Sequence, residues 1–254
     1  MKKALLTLAG FDPSGGAGAT LDLKVFRRFG YYGLAVLTSV TVQDSRRVYD
    51  YLPMPPEFVV RQYRKLRADF RLAGIKIGMV GSRSLLPALE TVLHENRALP
   101  VVADPVFRSS SGHWLLEKRG LDDYVRTVRG KITLFTPNLV EASLLLNRKI
   151  DSPEQMTDAA KRLSELTVSA CLVKGGHLRK EAEDILYDGH RIFRFKKRKL
   201  PVEVHGTGCF LSSAILCYLV EGWDLAAACR KASAILHRRL LSPLHISGRA
   251  LLDF

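Results

Sequence analysis

The chain has 254 residues, 47% of them hydrophobic, and its 39 Lys and Arg against 25 Asp and Glu give a formal net charge of +14. Such a length supports a large buried core and the composition excludes a disordered chain. No apolar run reaches the ~18 residues a membrane-spanning helix needs, and no CxxC pair or Cys–His metal spacing occurs among Cys171, Cys209, Cys217 and Cys229.

In chain order, Met1-Lys2-Lys3 precedes an apolar stretch too short for a signal core, so Ala4 to Ala9 reads as a first strand and the protein as cytoplasmic. A Gly-rich turn, Gly10 to Gly18, leads to a helix over about Ala19 to Phe29, stopped by Gly30. Leu34 to Val42 is rich in Val, Leu and Thr and reads as a strand; Arg46 to Tyr51 beyond it is a candidate lid. Pro55-Pro56 opens a helix with Phe58, Val59, Tyr63 and Leu66. The alternation continues with strands at Ile75 to Met79, Val101 to Ala103, Thr133 to Phe135 and Ala170 to Lys174. Helices are expected at Leu85 to Leu93, Leu121 to Val128, Val140 to Leu146 and Ala159 to Leu166. Ile185 to Tyr187 and Arg191 to Phe195, joined by Asp188-Gly189, form a hairpin pattern. Two helices, about Phe210 to Leu219 and Leu225 to Leu241, finish the chain. Strands alternating with helices predict one α/β domain over residues 1–254, a mostly parallel sheet covered on both faces. Ligands of such sheets bind beyond the carboxyl ends of the strands.

Five clusters fall at those positions. Gly10 to Gly18 lets backbone approach a ligand closely or simply serves a tight turn. Asp104-Pro105-Val106 offers a carboxylate for Mg²⁺ or its water shell, or a turn residue. Thr136-Pro137-Asn138-Leu139-Val140-Glu141 places Glu141 either in a capping box or within reach of a metal. Lys174-Gly175-Gly176-His177 suits a nucleotide phosphate. His205-Gly206-Thr207-Gly208-Cys209 runs into a helix, where backbone N–H groups can converge on a transferring phosphoryl group. Cys209, at the helix N-terminus, is expected to have a lowered pKa and to accept a proton from an attacking hydroxyl. The basic clusters Arg46-Arg47, Arg61 to Arg71 and Arg194 to Lys199 are interleaved with aromatics; they read as solvated faces rather than as a nucleic-acid surface.

The motifs AGFDPSGGAG, LDLK, TSVTVQD, KIGMVGS, DPV, SSSGHWLL, TPNLVEA, VKGGHL, DILYDG and HGTGCFLSSAI occur in that order between about Leu8 and Lys231. In this the chain resembles the hydroxymethylpyrimidine and phosphomethylpyrimidine kinases of thiamin biosynthesis. These are members of the ribokinase-like superfamily and relatives of one class of pyridoxal kinases. The resemblance implies a ribokinase-like fold, ATP and Mg²⁺ as cofactors, a small-molecule substrate and a homodimer, with no membrane or nucleic-acid partner. It implies that Gly10, Gly16 and Asp22 line the substrate side, that Gln43 hydrogen-bonds the pyrimidine edge, and that Met79 packs near the ring. Asp104 and Glu141 would organise Mg²⁺, and Lys174 and Thr207 would touch the ATP phosphates. Gly206, Thr207 and Gly208 would form the anion hole, and Cys209 would be the base. The same resemblance admits a pyridoxal or pyridoxine substrate, or a catalytically weak ligand-binding relative. The chain departs from the family at Glu203-Val204, where a polar pair with a hydroxyl is usual, at His113 in SGHWLL, around Thr20-Leu21 where a Gln is usual, and in its C-terminus, which lacks a Gly/His-rich tail.

Overall fold

The computed structural model describes residues 3–109, 111–176, 182–202 and 204–252. Strand β1 (Ala4–Phe11) is buried along all but its last residue. Its side chains alternate: Leu6 and Leu8 enter one core, Leu5 the other. A strand buried on both faces reads as a continuous apolar run, which is why it is legible without alternation. Helix α1 (Gly18–Arg28) turns Leu21, Val25 and Phe26 onto the Leu5 face. Strand β2 (Tyr32–Gln43) then runs parallel to β1.

The candidate lid, Arg46 to Tyr51, is a turn followed by an edge strand. Val48–Pro53 is strand β3, antiparallel to β2, with Val40 opposite Leu52 and Val42 opposite Asp50. The turn before it is held by Asp44, whose Oδ1 accepts the N–H groups of Arg46 and Arg47. No residue of this edge strand is buried, and its Val, Tyr and Leu fall on both faces, so it lacks the alternation that marks a half-buried strand.

Helix α2 (Pro56–Asp69) has proline in its first turn, where a missing N–H costs nothing, and buries Val59 and Tyr63. Then follow β4 (Leu72–Ile77), α3 (Leu86–Glu95), β5 (Val101–Ala103), α4 (Leu121–Val128), β6 (Leu134–Phe135) and α5 (Leu139–Leu146). Helix α6 (Pro153–Thr167) begins six residues before the expected Ala159, because Ser152 caps it by accepting the Gln155 N–H and Pro153 opens it. Strand β7 (Ala170–Val173) precedes the hairpin β8 (Ala182–Tyr187) and β9 (Ile192–Lys197), which turns at Gly189 with φ +102°. Helices α7 (Thr207–Glu221) and α8 (Leu225–Leu241) complete the Leu5 face. A last hairpin, β10 (Leu244–Ile246) and β11 (Arg249–Leu251), was not expected; Ser247 and Gly248 supply its two positive φ angles.

The nine-stranded sheet has the order β3-β2-β1-β4-β5-β6-β7-β8-β9. Strands β2, β1, β4, β5, β6 and β7 are parallel, and antiparallel pairing occurs only at the two sides. From β1 the chain steps outward to β2 and β3, then returns across β1 to β4. The strand order therefore reverses between β1 and β4, and a crevice opens at their carboxyl ends. No helix among the described residues is long and apolar enough to cross a membrane.

Candidate active site

Residues Gly10, Met79, Asp104, Thr136 and Lys174 all fall at the carboxyl ends of parallel strands, and α7 begins over the same edge. The arrangement follows from the sheet: every strand's end delivers its next residue to one rim.

Asp104 is almost fully buried. Its Oδ1 is 2.5 Å from Lys174 Nζ and accepts the Thr136 hydroxyl at 3.2 Å, while Oδ2 accepts Ser212 Oγ at 3.4 Å. Burial works against the Lys174 charge, but Asp104 and Glu141 outweigh it and hold the ammonium's pKa above the ordinary lysine value. Lys174 is anchored from its backbone, whose N–H donates to Pro137 O at 2.8 Å.

Glu141 serves the capping box of α5: Asn138 N–H donates to its Oε2 at 2.8 Å, and its own N–H donates to Asn138 Oδ1 at 2.9 Å. Burial pushes the Glu141 carboxyl up to about 8, and the Asp104 charge adds to this against the pull of Lys174. Among the described residues no group of three or more His, Cys, Asp or Glu is arranged to hold a metal by itself. The donor set still fits Mg²⁺, which takes one or two carboxylates and completes its octahedron with water and phosphate oxygens. With one ammonium shared between two buried carboxyls, Glu141 would ionise readily only if a further positive charge arrived beside it.

The N-terminus of α7 lies against this group. A Cβ built on Gly208 would be 3.1 Å from Lys174 Nζ and 3.5 Å from Asp104 Oδ2. Gly206 caps the helix with φ +83°, and a Cβ there would sit 1.9 Å from the Gly16 carbonyl oxygen. The free N–H groups of the first turn and the positive end of the helix suit an anion. Gly206→Ala is expected to lose about 1–3 kcal/mol of stability from backbone strain alone. Thermal melting and turnover measured together should both fall; an unchanged melting temperature would contradict the close approach.

Cys209 is partly accessible and the other three cysteines are buried. The expected lowered pKa is overturned: burial pushes the Cys209 thiol up to about 11. Lys76 pulls it down, Asp22 and Asp104 push it up, and a hydrogen bond from the Gly18 N–H pulls it down again. Desolvation of the thiolate thus outweighs the helix terminus. Iodoacetamide should alkylate Cys209 about tenfold faster per unit of pH between pH 7 and 9, since only the thiolate reacts. A rate already level at pH 7, followed by mass spectrometry, would show a thiolate instead.

Asp22 does not line the substrate side. It is fully buried beneath Cys209's helix, where Lys76 Nζ donates to its Oδ1 at 3.0 Å and Oδ2 at 2.9 Å. Thr7 Oγ1 donates to it at 2.6 Å and Ser213 Oγ at 2.8 Å. With four hydrogen bonds from three protein groups, the carboxylate has no free direction for a ligand. Gly10 and Gly16 do lie on the rim: a Cβ on Gly10 would be 2.8 Å from Met79 Sδ, and one on Gly16 would be 3.0 Å from the His205 ring. Gln43 closes β2 half-buried, opposite Val48. His177 and Glu203, singled out in the sequence, lie outside the described residues.

The sequence reading missed Lys76 and Asp12. Lys76 stands in the apolar strand β4, and a lone lysine in a strand buried on both faces is itself the signal. Asp12 accepts the N–H groups of Ser14 and Ala17 at 2.8 Å each, and its Oδ2 lies 3.2 Å from His205 Nε2. Burial works against its charge, yet the His205 and Ser14 hydrogen bonds lower the carboxyl below its usual value. Asp12 therefore ties the glycine turn to the segment leading into α7.

A doubly covered parallel sheet with a glycine-capped helix, a lysine and two buried carboxylates at one rim defines a ribokinase-like phosphotransferase. A family model described as Phosphomethylpyrimidine kinase matches residues 12–250. The chain belongs to that family. It is 36% identical to the hydroxymethylpyrimidine/phosphomethylpyrimidine kinase of Aquifex aeolicus, over 98% of this chain and 99% of the relative. The structure of phosphomethylpyrimidine kinase from Clostridium difficile superposes with a TM-score of 0.80 at 32% identity, covering 93% of this chain and 99% of that one. Pyridoxal kinase from Staphylococcus aureus in complex with AMP-PCP gives a TM-score of 0.90 at 27% identity, covering 100% and 93%.

Proposed function

We propose that this chain transfers the γ-phosphoryl group of ATP to the hydroxymethyl group of 4-amino-5-hydroxymethyl-2-methylpyrimidine, and to its monophosphate, in thiamin biosynthesis. The observation that carries the reading is the meeting of α7's first turn with the Asp104–Lys174 pair, through Gly208. Phosphoryl transfer needs little covalent help from a protein; positioning and charge stabilisation supply most of the catalysis. In this reading the N–H groups of Gly206, Thr207 and Gly208 hold the transferring oxygens, and Lys174 balances phosphate charge. Asp104 and Glu141 would hold Mg²⁺, which supplies charge neutralisation on the phosphates. Gly10, Gly16, Gln43 and Met79 form the wall for the ring.

Cys209 accepts the hydroxyl proton. In the ligand-free site it is a thiol, so its thiolate form must be reached first, and Lys76 is the cation that favours it. One domain spanning residues 1–254 carries both halves of the site, supported by a sheet whose strands run from Ala4 to Lys197 and whose anion hole comes from the following helix. The protein is proposed to act in the cytoplasm as a homodimer.

The higher TM-score to a pyridoxal kinase favours a second reading, a pyridoxal-type substrate on the same machinery. ADP release with MgATP and, separately, the hydroxymethylpyrimidine, its monophosphate and pyridoxal tests both. Turnover on the pyrimidines supports the first reading, turnover on pyridoxal alone moves the substrate, and silence on all three rejects a kinase.

A further inference from the structure

Ser39 carries a fully buried hydroxyl with no hydrogen-bond partner among the described residues. Its strand neighbours are engaged: Thr38 Oγ1 donates to Met79 O at 2.6 Å, and Thr41 Oγ1 donates to Phe11 O at 2.9 Å. A buried hydroxyl left unpaired carries its whole desolvation penalty, so the fold gains nothing from this one. An alanine would be the more stable choice at that position.

The hydroxyl lies at the reversal point of the sheet. Gly10 stands opposite Ser39 in the β1–β2 register, at the irregularity that follows Ala9. A Cβ on Gly10 would be 3.0 Å from Ser39 Oγ and 2.8 Å from Met79 Sδ, and a Cβ on Gly81 would be 3.0 Å from Ser39 Oγ. Two glycines flank the hydroxyl, and the Met79 thioether borders the same spot. Met79 is largely buried, but its unbranched side chain changes rotamer readily. Cys209 is close by: a Cβ on Gly18 would be 2.3 Å from Gly10 O, and the Gly18 backbone N–H is near enough to the Cys209 sulfur to favour its thiolate. One backbone segment therefore separates Ser39 from the proposed proton acceptor.

We propose that Ser39 is a ring-recognition residue, whose hydroxyl bonds the polar edge of the aminopyrimidine when Met79 turns aside, while the hydroxymethyl arm faces Cys209. A serine hydroxyl both donates to a ring nitrogen and accepts from an exocyclic amine, so it matches either group on that edge. The assignment rests on the kinase reading above and adds a determinant of the ring to it.

The test is steady-state ADP release by the wild-type chain and Ser39→Ala, with melting temperatures for both. Loss of one hydrogen bond should raise KM for the hydroxymethylpyrimidine about tenfold, with kcat and KM for ATP nearly unchanged. The melting temperature should stay level or rise, because an unpaired hydroxyl is removed. Ser39→Cys, a weaker donor of similar size, should give an intermediate KM. A pyrimidine KM that does not move in Ser39→Ala, while the wild type turns over, overturns the assignment alone. So does a rise in KM for both substrates with a lower melting temperature, which is the mark of a structural role. Wild-type silence on the pyrimidine overturns the kinase reading and this assignment together.

Discussion

Cys209→Ala is expected to lower kcat by about 10²–10⁴-fold, the usual contribution of a positioned general base. KM for ATP should change little, because Lys174, Asp104 and the N–H groups of α7 are all left in place. The informative partner is Cys209→Ser, which keeps the size of the side chain but raises the pKa of the proton acceptor beyond use. If proton acceptance is the role, serine should be nearly as slow as alanine. A serine variant as fast as the wild type would mean that Cys209 only fills space. The pH dependence provides a further check. Burial holds the thiol pKa up at about 11, so the base form grows as pH rises, and the turnover that depends on it should climb between pH 7 and 9.

Lys76→Met is expected to cost about 3–5 kcal/mol, the price of leaving a buried charge without its partner. For a chain of this size that lowers the melting temperature by roughly 6–20 °C. Both partners have no side-chain exposure, and Asp22 would retain only the Thr7 and Ser213 hydroxyls. Burial works against the Lys76 ammonium, but Asp22 outweighs it and raises its pKa. A raised folded pKa means that this contribution is fully present below the unfolded lysine value and is lost only as pH rises through the folded one. The wild-type contribution of the Lys76 ammonium should thus be constant across neutral pH. The double variant Asp22→Leu with Lys76→Met should recover part of the loss, since apolar replacements of a buried pair are often close to neutral. Calorimetry that finds the single lysine variant as stable as the wild type would mean the pair contributes nothing.

Most of the fold is legible because strands buried on both faces are written as mostly apolar runs, as in Ala4 to Ala9, interrupted only by Thr7, and Ala170 to Val173. The site is legible for a related reason: Asp104, Thr136 and Lys174 each follow a strand, and parallel strands deliver their ends to one rim. Three features were not. Strand β3, VYDYLP, has no buried residue and puts apolar side chains on both faces, so it shows no alternation of apolar and polar positions. The Asp22–Lys76 pair joins residues 54 positions apart, and nothing local announces it. The Cys209 pKa depends on how completely water is excluded, which position at a helix terminus does not reveal. The two roles weighed for Glu141, cap and metal ligand, are compatible: one carboxylate oxygen serves the cap, in a side chain buried beside Asp104.

The contact between Gly206 and the Gly16 carbonyl has a thermodynamic consequence. With no room for even a methyl group between them, the glycine turn and the first turn of α7 are expected to be ordered together, and the His205–Asp12 contact fastens them further. In the proposed reaction one of these backbones would face the acceptor molecule and the other the donor. A ligand that orders either turn has already met part of the ordering cost for the second, so the two affinities are linked. By reciprocity, whatever factor a nucleotide adds to the binding of the ring compound, the ring compound adds to the binding of the nucleotide.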